Sequence, residues 1–387
     1  WENNTWKLWA DLSNQPPWQT ATWTFYDVGV ATAGYWNYQV AESSWTSGQQ
    51  YMFWAGVQDQ ATNKIDYTAS EVQNSQNGIT FYCDSDAPVS DVQNPPNNSF
   101  INNVSAPATI SGKCDEKPGS PAYNSGNKLI QVKIKREPAL DGTSWWVTGV
   151  WGSAETWNDG TVYTDTWTFN WGSANMTHKS TYWIYLQASD KSNPSNLEAT
   201  GGNIKSIFMY DTQAGTSTVS VPPTGTPHYK SLTTISGSCY DDFSSPDKLL
   251  VELYYETGNV YWSTRGWVSA GQIASTYYET QGLQPWTTSW VNNNHWTNHR
   301  QYRVISRVRD KSQNLEAVKT ENTRAFLYDV TNPTSCVIEP ANLAEGKNIS
   351  NMTSISGTCV DTNPGLVVGC SVAFRQTNVA NADLTNA

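Results

Sequence analysis

The sequence repeats itself about every 120 residues. The string Phe-Tyr-Cys-Asp at 81–84 returns as Phe-Met-Tyr-Asp at 208–211 and as Phe-Leu-Tyr-Asp at 326–329. An Ile-Ser-Gly-x-Cys string follows each copy and ends at Cys114, Cys239 or Cys359. A period of this length is typical of a tandem array of small domains, each large enough to bury its own core.

The repeat phase divides the chain into four segments. Residues 81–207 and 208–325 are each predicted to form a complete unit, residues 1–80 the C-terminal part of a unit, and residues 326–387 the N-terminal part. Two arrangements would complete the partial units. Either the natural polypeptide continues past both ends, or the C-terminal part of one copy completes the N-terminal part of the next by strand addition, which propagates as an open head-to-tail homopolymer.

Composition and patterning favour an all-β fold with an aromatic core. The chain has 20 Trp and 20 Tyr but only 9 Phe, and alternating apolar residues mark strands at 128–135 and 302–308. Helical periodicity is almost absent. A net charge of -11 without a basic cluster argues against a nucleic-acid partner, and no apolar run approaches the roughly 18 residues needed to span a bilayer.

A further repeated pattern lies near the end of each unit, where a Tyr precedes an Asp by eight residues and an Asn and an acidic residue follow. The pairs are Tyr51 and Asp59, Tyr182 and Asp190, and Tyr302 and Asp310. Each Asp is expected to cap a turn that the Asn side chain closes. Each Tyr is expected to bury its ring and to keep its hydroxyl for a backbone carbonyl, as in a tyrosine corner.

This pattern resembles the penultimate strand and turn of bacterial immunoglobulin-like and fibronectin-III-like domains that occur in tandem on cell-surface proteins. It departs from them in one place, because Gln313 stands where those domains have Gly. The turn there is expected to be wider or to hold an Asn in a left-handed conformation. The resemblance implies tandem immunoglobulin-like β-sandwiches in an elongated rod at the cell surface. It implies no catalytic activity.

Pairs of Trp five residues apart also recur, as Trp146 with Trp151 and Trp262 with Trp267. Their equivalent positions favour core or inter-unit packing, so we expect these rings to be mostly buried. Exposed rings on a β-sandwich would instead stack on sugars, and a carbohydrate-binding or adhesin array is therefore the first alternative. The second is a non-catalytic accessory segment of a large secreted glycoside hydrolase.

No motif for catalysis or for a cofactor is found, and we expect the chain not to be an enzyme. Structural calcium is the one metal considered. The junction residues Asp84, Asp211 and Asp329 could meet the turn-capping Asp residues at unit boundaries. No repeat shows a dense acidic cluster in its sequence, so the expectation is no cofactor, with calcium as the lesser alternative.

The cysteines and sequons would suit an extracellular chain. The repeated Cys114, Cys239 and Cys359 are either small buried apolar positions at strand ends or partners in disulfides. In the second case Cys83 is predicted to bond Cys114, and Cys336 to bond Cys359 in preference to Cys370, while Cys239 has no predicted partner. Six Asn-x-Ser/Thr sequons permit glycosylation without proving it; they begin at Asn3, Asn97, Asn103, Asn175, Asn348 and Asn351.

Together these observations predict a structural protein of an extracellular filament or cell-surface array. Its expected partners are other copies of itself, joined head to tail through split immunoglobulin-like domains, with surface glycans as a further possibility. No nucleic acid and no membrane span are expected.

Overall fold

The computed structural model describes residues 21–25, 34–64, 78–116, 124–199, 204–263, 266–269, 277–280, 283–288, 290–340, 349–363 and 365–375. Two compact units are present, residues 1–99 with 105–210 and residues 100–104 with 211–387. The predicted boundaries at residues 81, 208 and 326 stay predictions. Within the described ranges, no helix is long and apolar enough to cross a membrane.

The described part of the N-terminal region contains two antiparallel strand pairs and a short 3-10 helix, Glu42–Ser44. Strand β1 pairs with β2, and β3 pairs with β4 to form what we call the N-terminal hairpin. The strands are β1 (Thr22–Phe25), β2 (Gly34–Asn37), β3 (Gln49–Trp54) and β4 (Gly78–Cys83).

The first complete sandwich consists of two sheets and a 3-10 helix, Ser173–Asn175. One sheet has the order β10-β9-β8-β14-β15-β6 with β11 also paired to β8, and the other has the order β12-β13-β7-β5. The strands are β5 (Val89–Ser90), β6 (Ser99–Ile101), β7 (Thr109–Asp115), β8 (Asn127–Leu140), β9 (Thr143–Val147), β10 (Val150–Gly152), β11 (Asn158–Asp159), β12 (Thr161–Val162), β13 (Thr166–Asn170), β14 (Ser180–Asp190) and β15 (Ile204–Tyr210).

The second sandwich repeats this plan, including a 3-10 helix at Asn293–His295. Its sheets have the orders β17-β25-β24-β19-β20-β21, with β22 paired to β19, and β16-β18-β23. The strands are β16 (Thr216–Val221), β17 (His228–Tyr229), β18 (Ser236–Tyr240), β19 (Pro246–Tyr255), β20 (Val260–Ser263), β21 (Gly266–Val268), β22 (Tyr278–Glu279), β23 (Trp286–Thr287), β24 (Arg300–Asp310) and β25 (Thr323–Tyr328).

Both sandwiches have immunoglobulin-like topology. In immunoglobulin lettering, β16, β18 and β23 correspond to strands A, B and E, while β19, β24 and β25 correspond to strands C, F and G. Strand β17 continues the chain from β16 and pairs parallel with β25 in the opposite sheet. The prediction of an all-β fold of tandem immunoglobulin-like sandwiches is therefore confirmed.

After the second sandwich, β26 (Thr334–Glu339) and β27 (Ser356–Val360) pair antiparallel. We call this pair the C-terminal hairpin. Its register, Val337 opposite Gly357 with a bulge after Val337, repeats that of β16 with β18, where Val219 lies opposite Gly237. The C-terminal hairpin is thus a third copy of strands A and B.

The core of each sandwich is aromatic, as the composition suggests. Trp167, Tyr182 and Phe208 are fully buried in the first sandwich. Trp286, Tyr302 and Phe326 take the same places in the second. Burying a ring of this size contributes about 2–3 kcal/mol, so each of these rings stabilises its sandwich.

The glycine of the repeated Ile-Ser-Gly-x-Cys string marks a close approach between strands. A Cβ on Gly237 would lie 1.9 Å from the carbonyl oxygen of Thr218 and 2.7 Å from the Trp286 ring. A Cβ on Gly112 would lie 2.0 Å from the carbonyl oxygen of Asp91. A side chain there would clash, because the backbone carbonyl of the neighbouring segment already occupies the space.

A buried glutamate links strand A to the turn after strand F in both sandwiches. Glu198 accepts hydrogen bonds from the backbone N–H of Ser90 at 3.0 Å and from its hydroxyl at 2.5 Å. Glu316 accepts the equivalent bonds from Ser217 at 3.1 and 2.6 Å. Strand A therefore depends on the F–G side of the sandwich for its polar contacts as well as for its apolar ones.

Candidate functional site

The three Tyr residues of the repeated pattern make the same hydrogen bond. Each begins the F-type strand, and its hydroxyl accepts a bond from the backbone N–H of the residue five positions earlier. These bonds join Tyr51 to Thr46 at 2.8 Å, Tyr182 to Thr177 at 2.6 Å and Tyr302 to Thr297 at 2.7 Å. In the two complete sandwiches, a backbone N–H thus takes the place of the expected carbonyl. The N-terminal hairpin carries a third tyrosine corner.

The two Trp of each repeated pair lie opposite one another, on the hairpin of β9 and β10 in the first sandwich and on the hairpin of β20 and β21 in the second. Trp146 faces Trp151 with ring centroids 5.4 Å apart, and Trp262 faces Trp267 at 5.5 Å. Trp146 is 4% exposed, and the other three are half-buried. Trp151 and Trp267 also donate their indole N–H to the carbonyls of Asn175 and His295. These rings support packing and do not form an open sugar-stacking row.

The outer face of the first sandwich carries further aromatic rings, but basic side chains cover them. The ammonium of Lys133 lies 4.6 Å from the ring centroid of Trp157 and 4.7 Å from that of Tyr185. Lys135 lies 4.4 Å from the ring of Trp183. Cation–π contacts of this kind occupy the ring faces that a sugar would need.

The three turn-capping Asp residues make the same pair of hydrogen bonds. In each copy one carboxylate oxygen accepts the backbone N–H of the following Asn and the other accepts its side-chain amide. The pairs are Asp59 with Asn63 at 2.8 and 2.7 Å, Asp190 with Asn196 at 2.8 and 2.7 Å, and Asp310 with Asn314 at 2.8 and 2.9 Å. Gln313, in place of Gly, itself adopts the left-handed conformation with φ 68°.

In the first sandwich this turn brings three carboxylates together. Oxygens of Asp84, Glu116 and Asp190 all lie within 4.8 Å of one another. Asp190 is fully buried. Both carboxylate oxygens of Glu116 are buried and accept no hydrogen bond within the described part of the chain. Burial, followed by the charges of Asp84 and Asp190, raises the pKa of Glu116 to about 7.

The second sandwich places Asp211, Asp241 and Asp310 in the same arrangement, again within 4.8 Å. Asp211 and Asp310 are buried. Burial raises the pKa of Asp310, and the charges of Asp211 and Asp241 add to this effect, while hydrogen bonds from Asn314 oppose it. Two unit charges at this distance repel by about 3 kcal/mol at an effective dielectric constant of about 20. Each cluster therefore favours a proton or a cation among its oxygens.

Two of the three members of a further cluster lie at the C-terminal hairpin. A Cβ on Gly365 would be 2.4 Å from the Oδ2 atoms of both Asp329 and Asp361, so these two carboxylates lie side by side. Asp329 is equivalent to Asp84 and Asp211 of the complete clusters, and Asp361 is equivalent to Glu116 and Asp241. Asp59, the turn-capping residue of the N-terminal hairpin, is exposed, although its counterparts are fully buried.

The third member of each cluster was missed by sequence reasoning, which paired only junction and turn Asp residues. Its signal is an acid two residues after each repeated cysteine, namely Glu116, Asp241 and Asp361. These acids stand apart from the other members in sequence, and only the fold brings them together.

The predicted disulfides are not formed, and all six thiols are free. Cys114 lies inside the first sandwich opposite Ser90, and its thiol donates to Oδ1 of Asn127. Cys83 belongs to a different strand pair, opposite Gln49. The predicted Cys83–Cys114 bond is therefore wrong for this structure.

The preference for Cys336 with Cys359 is also wrong, because the register is shifted by one residue. Cys336 lies opposite Thr358, and Cys359 lies opposite Ser335. Adjacent residues of a strand point to opposite faces, so the two thiols face away from each other. The thiol of Cys359 instead shares a hydrogen bond with that of Cys370, and this bond raises the pKa of Cys359.

The sequons lie in varied surroundings. Asn97, Asn103 and Asn351 are exposed, whereas Asn175 is half-buried and bonds the carbonyl of Trp171. Asn3 and Asn348 lie outside the described residues.

Comparison with known proteins gives structural likeness only. No family model and no curated protein matches the sequence. Among solved structures, a three-domain fragment of titin (I67–I69, an E-to-A variant) is 8% identical, with 71% of this chain and 87% of that chain covered and a TM-score of 0.30. A chimeric titin Z1Z2-Z1Z2 tandem is 10% identical, covering 62% and 100%, with a TM-score of 0.16.

A third solved structure, extracellular cadherin domains 3–6 of protocadherin gamma B2, is 9% identical, covering 81% and 67%, with a TM-score of 0.25. Superpositions at this level are partial, so the fold assignment rests on the strand order and registers described above. By that evidence the chain is a tandem array of immunoglobulin-like sandwiches.

Proposed function

We propose that this chain is a structural repeat protein of the cell exterior whose copies join head to tail. In this proposal the C-terminal hairpin of one copy supplies strands A and B to the N-terminal hairpin of the next, which supplies strands F and G. The chain would then act by forming a continuous row of sandwiches and not by catalysis. The main support is that both hairpins keep the strand register of the complete sandwiches, while they expose residues whose equivalents are buried there.

The registers match closely. In the N-terminal hairpin Tyr51 lies opposite Phe81, as Tyr182 lies opposite Phe208 in the first sandwich. The C-terminal hairpin keeps the A–B register and bulge of the second sandwich. The N-terminal hairpin therefore has the form of strands F and G, and the C-terminal hairpin has the form of strands A and B.

The exposed residues are those that a partner would cover. Val337 is 62% exposed, whereas its equivalent Val219 is 3% exposed. Phe53 is 44% exposed, whereas its equivalent Ile184 is fully buried. In the second sandwich β16 packs on β24, so the two exposed faces are the two sides of one core. Apolar faces of this kind are characteristic of interaction surfaces.

The carboxylates support the same pairing. Asp329 and Asp361 form two thirds of a cluster at the C-terminal hairpin, and Asp59 of the N-terminal hairpin is an uncovered copy of the third member. Joining two copies would assemble the cluster seen in both complete sandwiches.

Sedimentation velocity of the full chain over a range of concentrations tests the proposal. We expect large, polydisperse assemblies for the wild type and for Val150→Asp, a control at a residue that is 64% exposed but lies in a complete sandwich. We expect Val337→Asp and Phe53→Asp each to stop assembly. A wild-type chain that stays monomeric would contradict the proposal. So would assembly that both variants leave unchanged, since some other contact would then be responsible.

A further inference from the structure

We infer that each complete sandwich binds one calcium ion, held by Asp84, Glu116 and Asp190 in the first and by Asp211, Asp241 and Asp310 in the second. All six carboxylates belong to complete sandwiches of one chain. The inference is therefore independent of head-to-tail joining.

The unpaired carboxylate of Glu116 points to a ligand. Each of its two oxygens exposes less than 1 Å² and lacks a hydrogen-bond partner in the described part of the chain. Buried carboxylate oxygens are normally satisfied by hydrogen bonds, ion pairs or metals. Glu116 instead faces Asp84 and Asp190, which are themselves negative, and the charge of Lys191 offsets them only in part. A cation among the three would satisfy Glu116 and cancel the repulsion.

The neighbouring groups hold the other ligands in place. Asp84 accepts the N–H of Ser125 at 2.7 Å, and Asp190 accepts bonds from Ser192 and Asn196. In the second sandwich, Asp211 accepts the N–H of Ser244 at 3.3 Å. Bonds of this kind orient carboxylates that ligate a metal.

The ligand chemistry favours calcium. Three carboxylates offer only oxygen atoms, which suit hard divalent cations and not zinc or copper. Calcium accepts six to eight oxygens in flexible geometry, whereas magnesium requires a near-ideal octahedron and keeps several waters. A cluster built from a junction, a strand end and a turn has the variable geometry that calcium tolerates.

The same arrangement arises in two separate sandwiches. Its members come from the same three repeat positions, yet Glu116 of the first sandwich corresponds to Asp241 of the second. The carboxylate is common to both, while side-chain length differs. This is the pattern expected where a ligand requires an oxygen anion at that place.

Isothermal titration calorimetry of the chelator-treated full chain with CaCl₂, and separately with MgCl₂, tests the inference. In the Val337→Asp chain, which keeps both complete clusters and is expected not to join its neighbours, we expect two calcium ions per chain and weaker binding of magnesium. Glu116→Gln and Asp241→Asn should each weaken one site by about tenfold or more. Asp141→Asn, at an exposed hairpin position with φ 52°, should leave both sites intact.

Thermal unfolding provides a second readout. Calcium at a hundred times its dissociation constant should raise the unfolding temperature of each sandwich by about 10 °C. Glu116→Gln should raise the unfolding temperature of the first sandwich in chelator, because repulsion is removed, and should abolish its rise with calcium. Absence of saturable calcium binding by the wild type would overturn the inference. Two unaltered sites in both cluster variants would overturn it as well.

Discussion

Replacing Gly237 with Ala should strongly destabilise the second sandwich. The new Cβ would lie 1.9 Å from the carbonyl oxygen of Thr218 and 2.7 Å from the fully buried Trp286 ring. An unstrained carbon–oxygen contact is more than 1 Å longer, so strand β16 or the Trp286 ring must shift. Overpacking of this kind costs about 1–3 kcal/mol. We expect the upper end, because both neighbours are held by the sheet and the core.

Differential scanning calorimetry of the full chain is the assay. A loss of about 3 kcal/mol should lower the unfolding temperature of the second sandwich by about 10 °C, while the first sandwich serves as an internal reference. Gly369→Ala is the matched control, because a Cβ there would meet nothing within 4 Å. If Gly237→Ala unfolds at the wild-type temperature, the repeated glycine is not explained by the close approach of strand A.

Three further predictions concern the second sandwich and the thiols. Tyr302→Phe leaves the N–H of Thr297 without its partner and should cost about 1–3 kcal/mol, as measured by urea unfolding. Gln313→Gly removes the strain of a non-glycine residue in the left-handed conformation and should stabilise the same sandwich by about 0.5–1 kcal/mol in that assay. A loss of stability would show that the contacts of the Gln side chain outweigh this backbone strain. Burial raises the pKa of Cys114 to about 12 and that of Cys239 to about 11. An alkylating reagent at pH 8 should therefore modify the exposed Cys336 and Cys370 and spare both buried thiols in the native chain, as peptide mass spectrometry would show.

The repeated patterns predicted the fold well because they encode local rules. The spacing of Tyr302 and Asp310 marks one face and one end of strand F, and the same hydrogen bonds recur in every copy. The alternation at 302–308 predicted a strand that spans Arg300–Asp310.

Features that depend on register or on tertiary contact were harder to predict. A shift of one residue moves a side chain to the other face of a strand, and this is why Cys336 and Cys359 do not meet. The contact of Glu116 with Asp84 and Asp190 joins residues far apart in sequence. Repetition marked the positions, but only the fold shows that they converge.

The most direct test of head-to-tail joining is to mix two variants that each lack one end. Val337→Asp should keep a competent N-terminal hairpin, and Phe53→Asp should keep a competent C-terminal hairpin. Each variant alone should sediment as a monomer, and an equimolar mixture should form one-to-one dimers that grow no further, since each dimer has only defective ends left. If the mixture contains only monomers, or if either variant alone forms long assemblies, the two hairpins do not complete one another.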